Sequence, residues 1–426
     1  MIVSNLISKK RDGKSLSKSE LSSFFNGYLN GEVTDAQMSA MLMATYFNGM
    51  SEDETFILVE IMLNSGSKVD FSHTKKYVAD KHSTGGVGDK VSIILAPILA
   101  CFDIKVPMIA GRGLGYTGGT IDKLESIPGF HTSPSLNQFK KWVNKCGYAI
   151  IAQTNEVCPA DKRIYSLRSK TATIPSIPLI CGSIMSKKIA EGISGLVLDI
   201  KVGNGAFMKT KEQGAQLGEW LKNIGKAFNV STDVIYTSMN QPLGRFSGLA
   251  CEVKEAMDCL KGNGPDDLIK ITLELGKHIL IQSRLYSDTK SAYSALMRAI
   301  DSGKAFQKFQ QSVNLQGGSI SQLELKTIPK YQKILEADRH GIIAEINTEL
   351  LGWCLVQMGC VAQKFGDELD YSAGIELYKK LGDFVNSNEP IARIFGSNKR
   401  KIDNAEKFLK TAYSINAEYK PVPLFL

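Results

Sequence analysis

The sequence predicts an α/β fold, in which a small all-helical domain accompanies a large α/β domain with a mostly parallel central sheet and a C-terminal α+β segment. Three observations predict it: helix-start signals lie within the first 66 residues, strands alternate with helices from residue 77 onward, and β signals return after residue 340. Alternating strands and helices are typical of a parallel sheet with functional loops at the carboxyl ends of its strands. A chain of 426 residues, of which 43% are hydrophobic, is long enough for two or three globular domains.

Capping boxes mark three short helices near the N-terminus. They pair Ser17 with Glu20, Thr34 with Gln37, and Ser51 with Glu54. Each pair satisfies two main-chain amides at a helix start, and glycines at 31, 49 and 66 mark where the helices should end. Apolar residues recur at helical spacing, but they are too few to bury one another. We therefore expect a later segment or a second subunit to complete this bundle.

The rest of the chain carries the α/β pattern. Strands are predicted at residues 77–80, 104–110, 148–153, 195–202 and 233–239, and helices at 91–102, 137–146, 268–282 and 291–300. The stretch 161–193 has a helical pattern with breaks at Pro175 and Pro178, and we assign it to the helical bundle. β signals return at 341–346 and 376–395. The predicted domain bounds are 1–67 and 159–193 for the helical domain, 68–158 and 194–334 for the α/β domain, and 335–426 for the C-terminal segment.

Charge balance and cysteine usage favour some classes of protein over others. The 51 basic and 43 acidic residues give a net charge of +8 that is spread along the chain, which suits a small anionic substrate and gives no support to nucleic-acid binding. No apolar run reaches the ~18 residues of a membrane span, and the N-terminus lacks the pattern of a secretory signal. Eight singly scattered cysteines suit a reducing compartment. We expect a cytoplasmic enzyme with no membrane partner and, because none of the five histidines has metal-ligand spacing, no metal site.

The stretch from Ala79 to Ser92 has the composition of a phosphate-binding loop. Reactive side chains are followed by three glycines, at 85, 86 and 88, and then by a helix start. Glycines let main-chain amides approach an anion, and a helix N-terminus adds unpaired N–H donors. The pattern is not a Walker A loop, because Lys90 follows Asp89 and precedes Val91. A second spacing, GxGxxG at 113–118, lacks the acidic residue that dinucleotide binding needs and is treated as accidental.

Five longer motifs resemble the thymidine and pyrimidine nucleoside phosphorylases over nearly the whole chain. They are KHSTGGVGD from Lys81, GRGLGYTGGTIDKLESIPGF from Gly111, PADKRIYSLR from Pro159, SIPLICGSIMSKK from Ser176 and LDIKVGNGAFM from Leu198. The resemblance implies reversible displacement of a pyrimidine from a sugar by inorganic phosphate, which is a co-substrate, with no cofactor. It also implies a homodimer formed through the helical domain and closure of the two domains during the reaction.

The same resemblance implies the site residues. Phosphate would be held by Lys81, Ser83, Gly85, Gly86, Ser92 and Thr120. The pyrimidine would be held by Arg168, Ser183 and Lys187, which match the acceptor–donor–acceptor edge of uracil or thymine, with Tyr165 nearby and Leu114, Ile180 and Phe207 as apolar walls. These three apolar residues are equally compatible with ordinary core. His82 is the candidate proton donor to the pyrimidine O2, the alternative being that it only orients the loop. Lys81, His82, Arg168 and Lys187 are the predicted catalytic residues.

Four positions depart from the family pattern. Ala110 replaces a common serine, Tyr116 a histidine and Ser169 an aspartate, and Lys90 stands where some bacterial relatives place a threonine beside an alkali cation. The Lys90 ammonium would substitute for that ion. Relatives that accept both uridine and thymidine often carry lysine at the position of Met108, whereas thymidine-selective relatives carry methionine. The resemblance therefore implies a preference for 2′-deoxy substrates, since an apolar side chain offers nothing to a ribose 2′-hydroxyl. We therefore predict a thymidine phosphorylase; the alternatives are a broad-specificity enzyme that also accepts uridine and a catalytically impaired nucleoside-binding homologue.

Overall fold

The computed structural model describes residues 2–113, 115–363 and 366–426. The chain forms two compact units. The first consists of the residues up to Val78, Gln153–Leu196 and Ala215–Thr232, and the second of Ala79–Ala152, Val197–Gly214 and Asp233–Leu426. The predicted Leu114 wall residue lies outside the described residues.

Helices and strands alternate through the middle of the chain. The helices are α1 (Val3–Arg11), α2 (Lys18–Leu29), α3 (Asp35–Asn48), α4 (Glu52–Asn64), α5 (Val91–Leu99), α6 (Thr120–Leu124), α7 (Leu136–Cys146), α8 (Pro159–Lys170), α9 (Ile177–Ala190), α10 (Lys211–Ala227), α11 (Ala250–Leu260), α12 (Asp266–Gln282), α13 (Thr289–Asp301), α14 (Lys304–Leu315), α15 (Ile320–Lys326), α16 (Thr348–Met358) and α17 (Lys399–Lys410). The strands are β1 (Tyr77–Ser83), β2 (Ile104–Ala110), β3 (Tyr148–Ala152), β4 (Gly195–Val202), β5 (Ser231–Ser238), β6 (Phe246–Gly248), β7 (Tyr331–Glu336), β8 (Gly341–Ile346), β9 (Gly374–Leu377), β10 (Phe384–Val385), β11 (Pro390–Gly396) and β12 (Tyr413–Asn416).

All three predicted capping boxes form, at the starts of α2, α3 and α4. In the first, the Glu20 amide donates to Ser17 Oγ over 3.3 Å and the Ser17 amide donates to Glu20 Oε2 over 2.7 Å. Helix α1 was missed because no side chain caps its N-terminus. A tertiary contact holds it instead, since the buried Lys10 ammonium lies 2.8 Å from Glu54 Oε1.

A later segment completes the core of the helical bundle. Ala160 and Ile164 of α8 and Leu179 of α9 belong to the same buried cluster as the apolar residues of α2, α3 and α4. Helix α9 packs closely on α4 at Gly182, where a Cβ would lie 3.1 Å from the Leu58 side chain. This contact brings the polar residues that follow Gly182 to a fixed place in the bundle.

The central sheet has the strand order β3-β2-β1-β4-β5, with β2 and β3 parallel. Strand β1 runs on to Ser83 instead of ending at Asp80 as predicted, because the chain beyond it stays paired with β4: the Thr84 amide donates to the Asp199 carbonyl oxygen over 3.1 Å. Helix α5 ends at Leu99, earlier than predicted. Lys81, His82 and Ser83 therefore lie at the carboxyl end of a central strand.

The C-terminal part of the chain forms two antiparallel sheets, ordered β10-β8-β12 and β6-β9-β11-β7. Their apolar faces share a core that includes Ile343, Ile375 and Ile394. Beyond β12, the end of the chain pairs with β5, where the Ser238 amide donates to the Leu424 carbonyl oxygen over 2.9 Å. Among the described residues no helix has the length and apolar character needed to cross a membrane.

Candidate active site

The first cluster of predicted site residues lies in the second unit, at the end of β1. Lys81 is buried, and its ammonium donates to Ser92 Oγ over 3.4 Å and lies 3.8 Å from Asp89 Oδ1. Ser92 lies on the first turn of α5, and Ser83 Oγ accepts from the Gly85 amide over 3.2 Å. One lysine and two hydroxyl side chains are thus gathered around a glycine loop, an arrangement suited to an anion.

The glycines of this loop are required by its conformation and packing. Gly85 and Gly88 have φ of +89° and +76°, a region that L side chains rarely adopt. At Gly86 a Cβ would lie 2.5 Å from Met239 Cε, and at Gly88 it would lie 2.5 Å from the Leu243 carbonyl oxygen. The loop therefore packs tightly against its neighbours, and side chains larger than that of glycine would not fit at Gly86 and Gly88 without a shift.

Asp89, which the sequence reasoning missed, organises the charges around Lys81. Burial favours its neutral form, yet Lys81 and Lys201 hold the pKa of Asp89 well below its usual range. Burial lowers the pKa of the Lys81 ammonium, an effect that the carboxylates of Asp89 and Asp199 oppose. A bound phosphate would add negative charge beside this buried lysine, which already lies close to Asp89.

The loop after β2 joins the same cluster through α6. Thr120 is the first residue of α6, and Lys123 of this helix donates to the Asp89 carbonyl oxygen over 2.8 Å while pairing with Glu252 at 2.6 Å. The glycine-rich stretch before α6 is closed by Asp122, whose Oδ2 accepts from the Gly113 amide over 2.6 Å. The GxGxxG spacing thus belongs to a loop whose first glycine is hydrogen-bonded to the Asp122 carboxylate of α6.

A buried polar network lies behind Lys81. Lys201 Nζ lies 2.6 Å from Asp199 Oδ2 and donates to Thr237 Oγ1 over 3.0 Å, while that hydroxyl donates to Asp199 Oδ1 over 2.6 Å. The Lys201 amide also donates to Thr84 Oγ1 over 2.9 Å. Strand β4 thereby holds the start of the glycine loop in place.

The second cluster lies in the first unit, on α8 and α9. Asp161, Tyr165 and Arg168 follow one another on α8 at spacings of four and three, which places them on one helix face. Ser183 and Lys187, four apart on α9, also share a face, since the Lys187 ammonium donates to Ser183 Oγ over 2.8 Å. The Tyr165 ring centroid lies 5.8 Å from the Arg168 guanidinium carbon and 5.9 Å from Lys187 Nζ.

Main-chain acceptors orient the buried Arg168. Its guanidinium donates to the Leu179 carbonyl oxygen over 2.8 Å and to that of Ile174 over 2.7 Å. Its Nε has no hydrogen-bond partner among the described residues. Burial lowers the pKa of Arg168 to about 10, although Asp161 opposes this change. Ser169 is exposed, so the orientation of Arg168 is set without an acidic residue at position 169.

Asp161 is the second residue that sequence reasoning missed. Its Oδ2 lies 2.6 Å from the Lys187 ammonium, and its side chain is only 1% exposed. The start of α8 is anchored to the bundle because the Ala160 amide donates to Ser65 Oγ over 3.2 Å. The spacing of Asp161 from Tyr165 and Arg168 was the available signal, but the partner on α9 was not visible in the sequence.

The remaining predicted residues lie at defined places. His82 is half-buried at the end of β1, Met108 is buried within β2, and Ile180 is half-buried on α9. Phe207 lies in the second unit, next to the glycine loop: a Cβ added to Gly85 would lie 3.9 Å from Phe207 Cε2. Tyr116 is buried, with ring centroids of Phe207 and Trp353 6.0 and 5.9 Å away, and so forms part of an aromatic cluster.

Lys90 provides a cation inside the second unit. Its buried ammonium pairs with Glu255 and donates to the carbonyl oxygens of Leu243 and Phe246 over 3.1 and 2.7 Å. Burial favours the neutral amine, yet Glu255 and Glu252 raise the pKa of Lys90 above its usual range. The side chain therefore places a positive charge among oxygen ligands of the kind that bind a monovalent cation.

The fold is that of a glycosyl transferase. Residues 75–306 match the family model described as the glycosyl transferase family a/b domain, and residues 4–66 match that of its helical bundle domain. The structure also resembles that of anthranilate phosphoribosyltransferase from Thermus thermophilus, with a TM-score of 0.57 and 15% identity over 73% of this chain and 99% of that one. At this identity the likeness concerns the fold alone.

Three further comparisons bear on the family. Residues 342–416 match the model described as the pyrimidine nucleoside phosphorylase C-terminal domain. The chain is 43% identical to a pyrimidine-nucleoside phosphorylase of Staphylococcus haemolyticus, over 97% of this chain and 96% of that protein. It is 42% identical to one of Staphylococcus aureus, over 96% and 95% respectively. The chain therefore belongs to the pyrimidine nucleoside phosphorylase family and is a pentosyltransferase.

Proposed function

We propose that this enzyme is a thymidine phosphorylase, which converts thymidine or deoxyuridine and phosphate reversibly into the free base and 2-deoxy-α-D-ribose 1-phosphate. The observation that carries the proposal is the polar cluster of the helical unit, where Arg168 and Lys187 lie at similar distances from the Tyr165 ring. An aromatic ring, two cations and the Ser183 hydroxyl supply the stacking surface and the donors that a pyrimidine-2,4-dione requires.

The second unit supplies the other half of the chemistry. Lys81, Ser83, Ser92 and Thr120 with the glycine-loop amides would hold phosphate, whose oxygen forms the new bond to C1 of the sugar. As the bond from C1 to the base nitrogen breaks, its electron pair passes to the pyrimidine. Arg168 and Lys187 would stabilise that charge, and His82 would supply a proton to O2. Phosphate is the co-substrate, and the reaction as proposed uses no cofactor and no metal.

The preference for 2-deoxyribose rests on Met108, whose apolar side chain offers no hydrogen bond to a 2′-hydroxyl. The second candidate is a broad-specificity enzyme, which is favoured by the name of the staphylococcal relatives, pyrimidine-nucleoside phosphorylase. The two candidates differ only in how well ribonucleosides react.

Phosphate-dependent release of thymine from thymidine, measured beside release of uracil from uridine, tests the proposal. We expect base release only when phosphate is present, with a higher kcat/KM for thymidine. Equal kcat/KM values would replace the proposal with the broad-specificity candidate. Binding of thymidine without base release would replace it with the impaired homologue, and the absence of both would overturn it.

The proposal extends to a cytoplasmic homodimer formed through the helical unit. Apolar side chains are exposed on and near α3: Phe47 is 75% exposed, Tyr46 41% and Met43 37%, and Ile2 is also exposed. Such a patch on the surface of one unit is typical of a protein interface. Light scattering should give twice the chain mass, and Phe47→Glu should reduce it to that of one chain. A monomeric wild type would refute this extension.

A further inference from the structure

The ion pair between Asp161 and Lys187 carries a desolvation penalty that disfavours folding of the helical unit. Asp161 is 1% exposed and Lys187 13% exposed, so both charges have lost most of their hydration. Only one of the two carboxylate oxygens is paired, since Asp161 Oδ1 has no hydrogen-bond partner among the described residues. Because a buried, half-satisfied carboxylate is a poor source of stability, its presence beside a predicted base-binding lysine indicates a functional role.

The geometry limits what the Lys187 ammonium can do. An ammonium has three N–H donors, and Asp161 Oδ2 at 2.6 Å and Ser183 Oγ at 2.8 Å accept two of them. These two contacts fix the direction of the third donor. Without Asp161, a lysine with four rotatable bonds would be restrained near its end only by a neutral hydroxyl.

We propose that Asp161 is a positioning residue, which holds the Lys187 ammonium so that its remaining donor meets a carbonyl oxygen of the pyrimidine. This inference rests on the proposed function. The carboxylate acts through Lys187 and does not touch the substrate. Its removal should therefore affect the interaction with the base and leave the interaction with phosphate unchanged.

The same helix provides a matched control. Lys188 pairs with Glu191 at 2.7 Å, and both side chains are at least as buried as those of the Asp161 pair. Asp161→Asn and Glu191→Gln each remove one buried negative charge beside a lysine of α9. Both variants should lose stability, but only one of them alters the position of Lys187.

Steady-state kinetics of the full-length enzyme test the inference. For Asp161→Asn we expect kcat/KM for thymidine to fall by roughly 10- to 100-fold, the range for a misplaced catalytic group, with an unchanged KM for phosphate. Glu191→Gln should retain both values. Equal losses in the two variants, or a rise in the phosphate KM of Asp161→Asn, would overturn the inference. An inactive wild type would instead refute the proposed function.

A second pair of variants serves if Asp161→Asn does not fold. Lys187→Met alone and Lys187→Met with Asp161→Asn differ only in the carboxylate, and the double variant leaves no unpaired buried charge at this place. Because Asp161 acts through Lys187, we expect equal kcat/KM values for the two. A further fall of tenfold or more in the double variant would show an independent role and contradict the inference.

Discussion

The buried Lys90 ammonium leads to a prediction about monovalent cations. It meets three oxygen acceptors: the Glu255 carboxylate and the carbonyl oxygens of Leu243 and Phe246. Removing the ammonium in Lys90→Ala leaves the carboxylate buried without its cation, which costs about 3–5 kcal/mol of unfolding free energy. It also opens a space lined by the same oxygens, and we expect potassium to enter that space.

Urea denaturation in potassium chloride and in choline chloride of equal concentration measures both effects. The wild type should have the same stability and activity in the two salts, because its own side chain supplies the cation. Lys90→Ala should be destabilised in choline and partly restored by potassium. Lys90→Met, which keeps the apolar stem and leaves no room for an ion, should be destabilised equally in both salts. Severalfold activation of the wild type by potassium would refute this reasoning.

Three further predictions concern the two clusters. Burial lowers the pKa of Lys81, and phosphate binding needs the charged ammonium, so the phosphate KM should begin to rise at a pH below the usual lysine range. A Lys81→Arg variant should keep a low phosphate KM to higher pH. The same dependence of phosphate KM on pH in both enzymes would contradict this assignment. Ala110→Ser should lower the phosphate KM, since a hydrogen bond to a charged group contributes about 1.5–3 kcal/mol; an unchanged KM would contradict it. Ser169→Asp should leave the thymidine KM within about twofold, because main-chain carbonyls already orient Arg168; a tenfold change would show that they do not.

Much of the secondary structure was predictable because its signals are local. A capping box joins residues three apart, so the starts of α2, α3 and α4 were visible in the sequence. Strands β2, β4 and β8 were predicted with their observed bounds, since each is a short apolar or alternating run. Helix α1 and the full length of β1 were not predicted, because both depend on partners that lie far along the chain.

The candidate site also contains residues that local signals indicated and residues that they did not. The motifs indicated Lys81, Arg168, Ser183 and Lys187, and the four-residue spacing placed the last two on one helix face. The sequence did not indicate Asp161, whose partner is 26 residues away, or Glu255, which is 165 residues from Lys90. Nothing local in the chain marks such pairs.

The sequence by itself determined the order of helices and strands, the glycine loop and the family, because these features depend on spacings of a few residues and on long motifs. Tertiary structure alone decided which charges meet. A buried ammonium must find its carboxylate wherever the topology brings one, since an unpaired charge in the interior is costly. Asp89 beside Lys81, Asp161 beside Lys187 and Glu255 beside Lys90 are therefore properties of the folded chain.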